Sequence, residues 1–156
     1  MNQDGSARSK FYETKFSVDP VAQTEKFYEI LSYYLYGLQF VYEYYFINLP
    51  SWQWYYPYYY APLVSDLSLY LEYLASTNFE FEKIEPGQPF EPFKQLLCIL
   101  PKESVELLPE PFHEFIGDPK SILRSPFDFY PDEFEDDPYG SIRPHEYVSL
   151  IPFLNL

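Results

Sequence analysis

At 156 residues with 24 acidic against 10 basic side chains, the chain has a formal charge of −14 and an isoelectric point near 4.3. Its 18 tyrosines, 15 phenylalanines and 2 tryptophans exclude a disordered acidic tail, which lacks the apolar surface needed to offset chain entropy. The charge also speaks against independent binding to a polyanion, since affinity for phosphate comes mainly from Lys and Arg. The length suits one domain or part of a larger one.

In chain order, a polar, basic-leaning lead with Arg8, Lys10 and Lys15 comes first. It has no apolar signal-peptide core. Asp19-Pro20 then predicts a helix start, with Asp as cap and Pro at the first helical position. Phe27, Leu31, Tyr34, Leu38, Val41 and Tyr45 follow at intervals of three or four residues. They predict a long amphipathic helix over about 20–47, flanked by Phe40 and Tyr44. Gly37 in its middle either admits a neighbouring backbone or is merely tolerated.

From Tyr44 to Ser65 no residue is charged, and the length alone would reach across a bilayer. Pro50, Pro57 and Pro62 argue otherwise, because each removes a backbone donor that a membrane span must satisfy internally. The expectation is buried aromatic packing in a compact, partly helical turn over 49–62, with no membrane partner. A second helix is predicted over about 62–75 with Leu63, Leu67, Tyr70, Leu71 and Leu74 inward. Loop or extended chain is expected over 78–89, then a short helix over about 92–100 ended by Pro101. Eight further prolines, from Pro109 to Pro152, leave room only for short turns and extended pieces. The predicted fold class is mainly α, with a proline-rich irregular second half.

Candidate chemistry is sparse. Cys98, the only cysteine, cannot form an intrachain disulfide and reads as a small core residue rather than a nucleophile, in a protein from a reducing compartment. His113 and His145 lack partners at metal-ligand spacing, and no glycine-rich phosphate loop occurs. The acidic run 132–137 reads as a solvated loop without calcium-loop spacing. No catalytic residue, no metal ligand and no bound cofactor is therefore assigned to this chain.

One constellation stands apart: Trp52-Gln53-Trp54-Tyr55-Tyr56-Pro57-Tyr58-Tyr59-Tyr60-Ala61-Pro62, followed by Ser65-Asp66. Aromatic faces held by proline suit stacking of nucleobases, whereas composition alone favours a core of tyrosines with polar tips. The string resembles the signature of the eukaryotic 5′→3′ exoribonuclease (XRN) family. Other segments agree in order. They are Lys10-Phe11-Tyr12 with Lys15-Phe16, Tyr36-Gly37-Leu38 with Tyr44-Tyr45, and Gly87-Gln88-Pro89-Phe90 with Pro92-Phe93-Lys94-Gln95-Leu96-Leu97. Leu100-Pro101, Leu108-Pro109, Asp118-Pro119, Asp128-Phe129-Tyr130-Pro131 and Leu150-Ile151-Pro152-Phe153 complete the series.

The resemblance, over roughly 8–154, implies an intracellular enzyme of nucleus or cytoplasm that releases mononucleotides from 5′-monophosphorylated RNA. Its Mg²⁺ would be held by carboxylates of a nuclease region that has no counterpart in this sequence. What this chain resembles is part of the helical region packed against it, silent alone and meeting RNA only beside that region. The expected unit is thus a partial helical domain over 1–156: a fragment, a split gene product or a truncated relative. The family's base-stacking tryptophan would be Trp54 or Trp52, with Trp54 ahead, supported by Tyr55, Tyr56, Tyr58, Tyr60 and Asp66. Tyr59 stands where the family usually has His, His145 where Trp is common, and Asn155 where Asp often follows. The alternative expectation is a stand-alone protein-interaction module without nuclease activity.

Overall fold

The computed structural model describes residues 3–77, 79–80, 83–117, 130–131 and 133–153. Asp118-Pro119, Asp128-Phe129, Asp132 and Asn155 lie outside them. Two compact units divide the chain, residues 1–89 and 90–156, and the described elements are mainly helical as the composition of the predicted helices implies.

The first unit opens with a helix that the sequence pattern did not announce, α1 (Gln3–Phe16). Its apolar side is narrow, Phe11, Tyr12 and Phe16 recurring between lysines, so periodicity alone left it as a polar lead. Ser17 ends it at a left-handed φ of +55°. Asp19 caps as expected, one turn earlier than the helix proper: its Oδ1 accepts the Val21 and Ala22 N–H groups at 2.8 and 3.2 Å. Gln23 Oε1 in turn accepts the Asp19 N–H at 3.0 Å, a reciprocal closure that satisfies otherwise orphaned donors. These hydrogen bonds hold the Asp19 carboxyl below its usual range. Residues 20–23 form a turn, and α2 runs over Thr24–Phe46.

The aromatic segment 49–62 is irregular throughout rather than partly helical, because Pro50, Pro57 and Pro62 interrupt any hydrogen-bond ladder. After it come α3 (Val64–Ser76) and the irregular described part of 79–89. The core joins Tyr12, Val18, Phe27, Ile30, Leu31, Leu35, Leu67, Tyr70 and Leu74. Each large aliphatic or aromatic side chain so buried stabilises the fold by about 1.5–3 kcal/mol.

The buried face of α2 is rotated from the predicted stripe. Phe27, Ile30, Leu31 and Leu35 are inside, while Leu38, Val41 and Tyr45 are exposed. Helix lengths explain this: at 1.5 Å per residue α2 spans about 35 Å and α3 only about 20 Å, so the last turns of α2 outrun α3. Leu71 is likewise exposed, not inward. The uncharged stretch is only partly buried, since Tyr44, Tyr45, Trp52, Tyr55 and Tyr59 are exposed. Among the described residues no helix is long and apolar enough to cross a membrane.

At the centre of the unit Asp66, 5% exposed, takes the Arg8 Nε–H at 2.8 Å and the Tyr12 hydroxyl at 2.8 Å. The Tyr12 oxygen accepts the Leu63 N–H at 3.1 Å, meeting a donor at the start of α3. Arg8 also lies over the Phe27 ring, 4.9 Å from its centre. One carboxylate thereby ties α1 to α3 and, through Arg8, to α2.

The second unit begins with α4 (Pro92–Ile99), with Pro92 at its first turn, close to prediction. Three 3₁₀ turns (Lys102–Leu107, Glu110–Phe112, Pro144–Glu146), α5 (His113–Gly117) and the antiparallel pair β1 (Asp136–Asp137) and β2 (Val148–Ser149) follow. Leu108, Ile116 and Tyr130 are its buried centre, and the Tyr130 hydroxyl donates to the Leu97 carbonyl. Cys98 is half-buried at the edge of this cluster rather than in the core as expected.

Asp66→Ala strands a buried hydroxyl and a partly exposed guanidinium, and is expected to destabilise by about 2–4 kcal/mol; Tyr12→Phe, which leaves the Arg8 pair, costs about 1–2 kcal/mol. Urea unfolding measures both, and equal losses would remove Asp66 from its central role.

Candidate nucleic-acid interface

The aromatic segment leaves Pro50 through a side-chain turn. Ser51 is buried, and its Oγ accepts the N–H groups of Gln53 and Trp54 at 3.2 and 3.1 Å, substituting for helical hydrogen bonds the prolines forbid. The Trp52 N–H donates to the Pro86 carbonyl at 2.8 Å. Gly87, at φ +62°, lets the chain bend there; a Cβ on it would stand 2.7 Å from Gln53 Oε1.

This turn places the two tryptophans differently. Trp54 is half-buried and stacked on Phe40, ring centres 5.3 Å apart at 23°. Its ring edge would be 3.4 Å from a Cβ at Gly37, so the glycine clears space for an indole rather than for a neighbouring backbone. Trp52 is 53% exposed. Trp54, Ser51 and Gln53 form one wall of a cleft of about 540 Å³ whose other walls are Glu29, Ser32, Tyr33 and Tyr36 of α2 and Lys83, Ile84 and Glu85.

The supporting tyrosines turn mostly inward. Tyr56 packs edge-on to Tyr34 and donates its hydroxyl to the Tyr60 carbonyl at 2.8 Å. Burial pushes its phenol well above the ordinary range. Tyr58 sits among Phe16, Tyr33 and Tyr56, and burial, then the nearby Glu29 charge, pushes it up to about 12. Tyr60 is buried against Phe16, with Lys15 Nζ 4.8 Å from its ring centre. Tyr55 is exposed. Asp66 is bonded to Arg8 and Tyr12, so it organises the helices rather than holding a tryptophan directly. Among the described residues no three His, Cys, Asp or Glu side chains are grouped to hold a metal ion. His113 Nε2 lies 2.8 Å from the Leu108 carbonyl.

The chain matches the family described as the Xrn1 helical domain over residues 3–156. It belongs to that family. It is similar to the 5′-3′ exoribonuclease 2 of Aspergillus oryzae, 40% identical over 147 residues that make up 94% of this chain and 13% of the relative. The Schizosaccharomyces pombe protein of the same name is 39% identical over 148 residues, 95% of this chain and 14% of the relative. The Arabidopsis thaliana one is 36% identical over 148 residues, 94% and 14%. The chain thus spans about a seventh of the length of these curated relatives.

Within this Xrn1 helical domain, sequence reasoning missed Phe40 as the support of Trp54, Gln53 as the neighbour of Gly87, and the α2 face Glu29, Tyr33 and Tyr36. The spacing of those three at i, i+4 and i+7 was a legible signal of a shared face. It was obscured by the stronger apolar stripe beside it.

Gly87→Ala is expected to destabilise by about 1–2 kcal/mol from its left-handed backbone and the displaced Gln53 side chain. Gly140→Ala, at φ +84° with nothing within 4 Å, carries the backbone cost alone. Thermal melts of both, and of Gly87→Ala in a Gln53→Ala background, separate the two contributions; identical losses in all three would discard the Gln53 contact.

Proposed function

We propose that this chain acts as the helical domain of a 5′→3′ exoribonuclease, supplying scaffold and an aromatic wall for RNA while a nuclease region performs hydrolysis of 5′-monophosphorylated RNA to mononucleotides. The observation that carries the reading is the position of the two tryptophans on a proline-held turn within a chain of the Xrn1 helical domain family. Trp52 is half-exposed and makes no ring contact among the described residues, which leaves an indole face for a base. Trp54, preferred from the sequence, is backed by Phe40 and walls the adjoining cleft. Stacking on an aromatic face needs no sequence-specific edge contact, which suits an enzyme that takes RNA of any sequence.

The −14 charge fits a division of labour in which phosphate is bound by the nuclease region and only bases meet this surface. Mg²⁺ is implied only for the complete enzyme, and in this reading the carboxylates that would hold it are those of the nuclease region. The lone thiol suits a reducing compartment, nucleus or cytoplasm. As a stand-alone module, the alternative reading, the chain would have to cover the exposed end of α2 with a different partner.

The test places this chain in the matching segment of the Schizosaccharomyces pombe relative and measures kcat/KM on 5′-monophosphorylated RNA. Loss of one stack, about 1–3 kcal/mol, predicts a fall of about 5- to 150-fold for Trp52→Ala or Trp54→Ala. Full activity in both variants would eliminate the stacking role.

A further inference from the structure

We propose that the cleft beside Trp54 is a binding site for an arginine side chain carried by a basic segment of a partner polypeptide. At about 540 Å³ it lies in the size range of ligand pockets, and its walls combine two features that suit a guanidinium. The first is aromatic. Trp54 and Tyr33 both line the cleft, and both are held from behind. Phe40 stacks on Trp54, and Tyr58 meets Tyr33 edge-on with ring centres 6.0 Å apart. Such fixed faces attract a planar cation through the ring quadrupole, most strongly for tryptophan, without further ordering cost.

The second feature is charge. Glu29, one turn before Tyr33 on the same α2 face, and Glu85 both line the cleft. Neither carboxylate is in an ion pair among the described residues. Among the described residues Lys83 is the one cationic lining residue, so the described lining sums to −1 within a chain of −14. A phosphate-bearing ligand meets repulsion here, whereas an incoming guanidinium can fork onto carboxylate oxygens while its plane lies on an indole. Ser51 Oγ is already engaged with the backbone, so the carboxylates are the main acceptors. The site does not involve Trp52, but it shares Trp54 with the proposed RNA wall, so an arginine segment and an RNA base would compete for that indole.

The experiment uses the full chain with Trp52→Phe, leaving Trp54 as its only indole. It is titrated with an acetylated, amidated Arg-Gly repeat peptide while Trp54 fluorescence is followed. The matched citrulline peptide, which keeps the shape but loses the charge, and a 5′-phosphorylated single-stranded RNA oligonucleotide are the other arms. The arginine peptide is expected to give a saturable Trp54 change, weakened at least fivefold by Glu29→Gln with Glu85→Gln. Neutralising two acidic residues elsewhere, Glu133→Gln with Glu135→Gln, is expected to leave the affinity within twofold. Equal binding of the citrulline peptide, tighter binding of RNA at Trp54, equal weakening by both Gln pairs, or no Trp54 response at millimolar peptide would each overturn the proposal.

Discussion

The Asp66 carboxylate is the constraint on which the first unit depends. Burying an ionised carboxylate costs several kcal/mol unless its lone pairs are met, and here Arg8 and Tyr12 meet them from α1. The same tyrosine oxygen closes the start of α3 by accepting the Leu63 N–H. Because only Leu63 separates Pro62 from α3, fixing the start of α3 also fixes one end of the aromatic segment. The other end is fixed by Ser51 and by the Trp52–Pro86 hydrogen bond. A stretch without helix or strand is therefore held at both ends by polar contacts and along its length by tyrosine rings packed on α1 and α2.

This arrangement explains how so aromatic a chain divides its rings between the core and the solvent-facing surface. Tyr12, Tyr60 and Tyr70 are buried, and Tyr58 fills space between helices; all serve the core. Trp52 and Tyr55 lie on the exposed side of the segment. The exposed end of α2 has a different origin, since it follows from the shortness of α3. Its apolar residues are what remains when a long helix is packed against a short one.

Much of the helical architecture was legible from period and caps: α2, α3 and α4 fall close to their predicted ranges, and Pro92 and Pro101 bracket α4. What was not legible depends on long sequence separation. Helix α1 is recruited by Asp66, more than fifty residues away, and no local pattern in Arg8 or Tyr12 announces that. The rotation of the α2 face has the same cause, because which side is buried is decided by where α1 and α3 lie. At the candidate site, the tryptophans and the motif series were readable from the sequence. The inward turn of Tyr58 and Tyr60, the role of Asp66 as a helix tie, and the cleft between Trp54 and Glu29 needed coordinates.

The central claim is that this chain supplies a wall for RNA and leaves bond breaking to another region. The most direct measurement is release of mononucleotides from 5′-monophosphorylated RNA by the isolated chain in Mg²⁺ buffer, beside the same chain set into the Schizosaccharomyces pombe relative. The account predicts no release by the isolated chain at any concentration and release by the chimera. Release by the isolated chain, or a folded chimera that leaves the RNA intact, would contradict it.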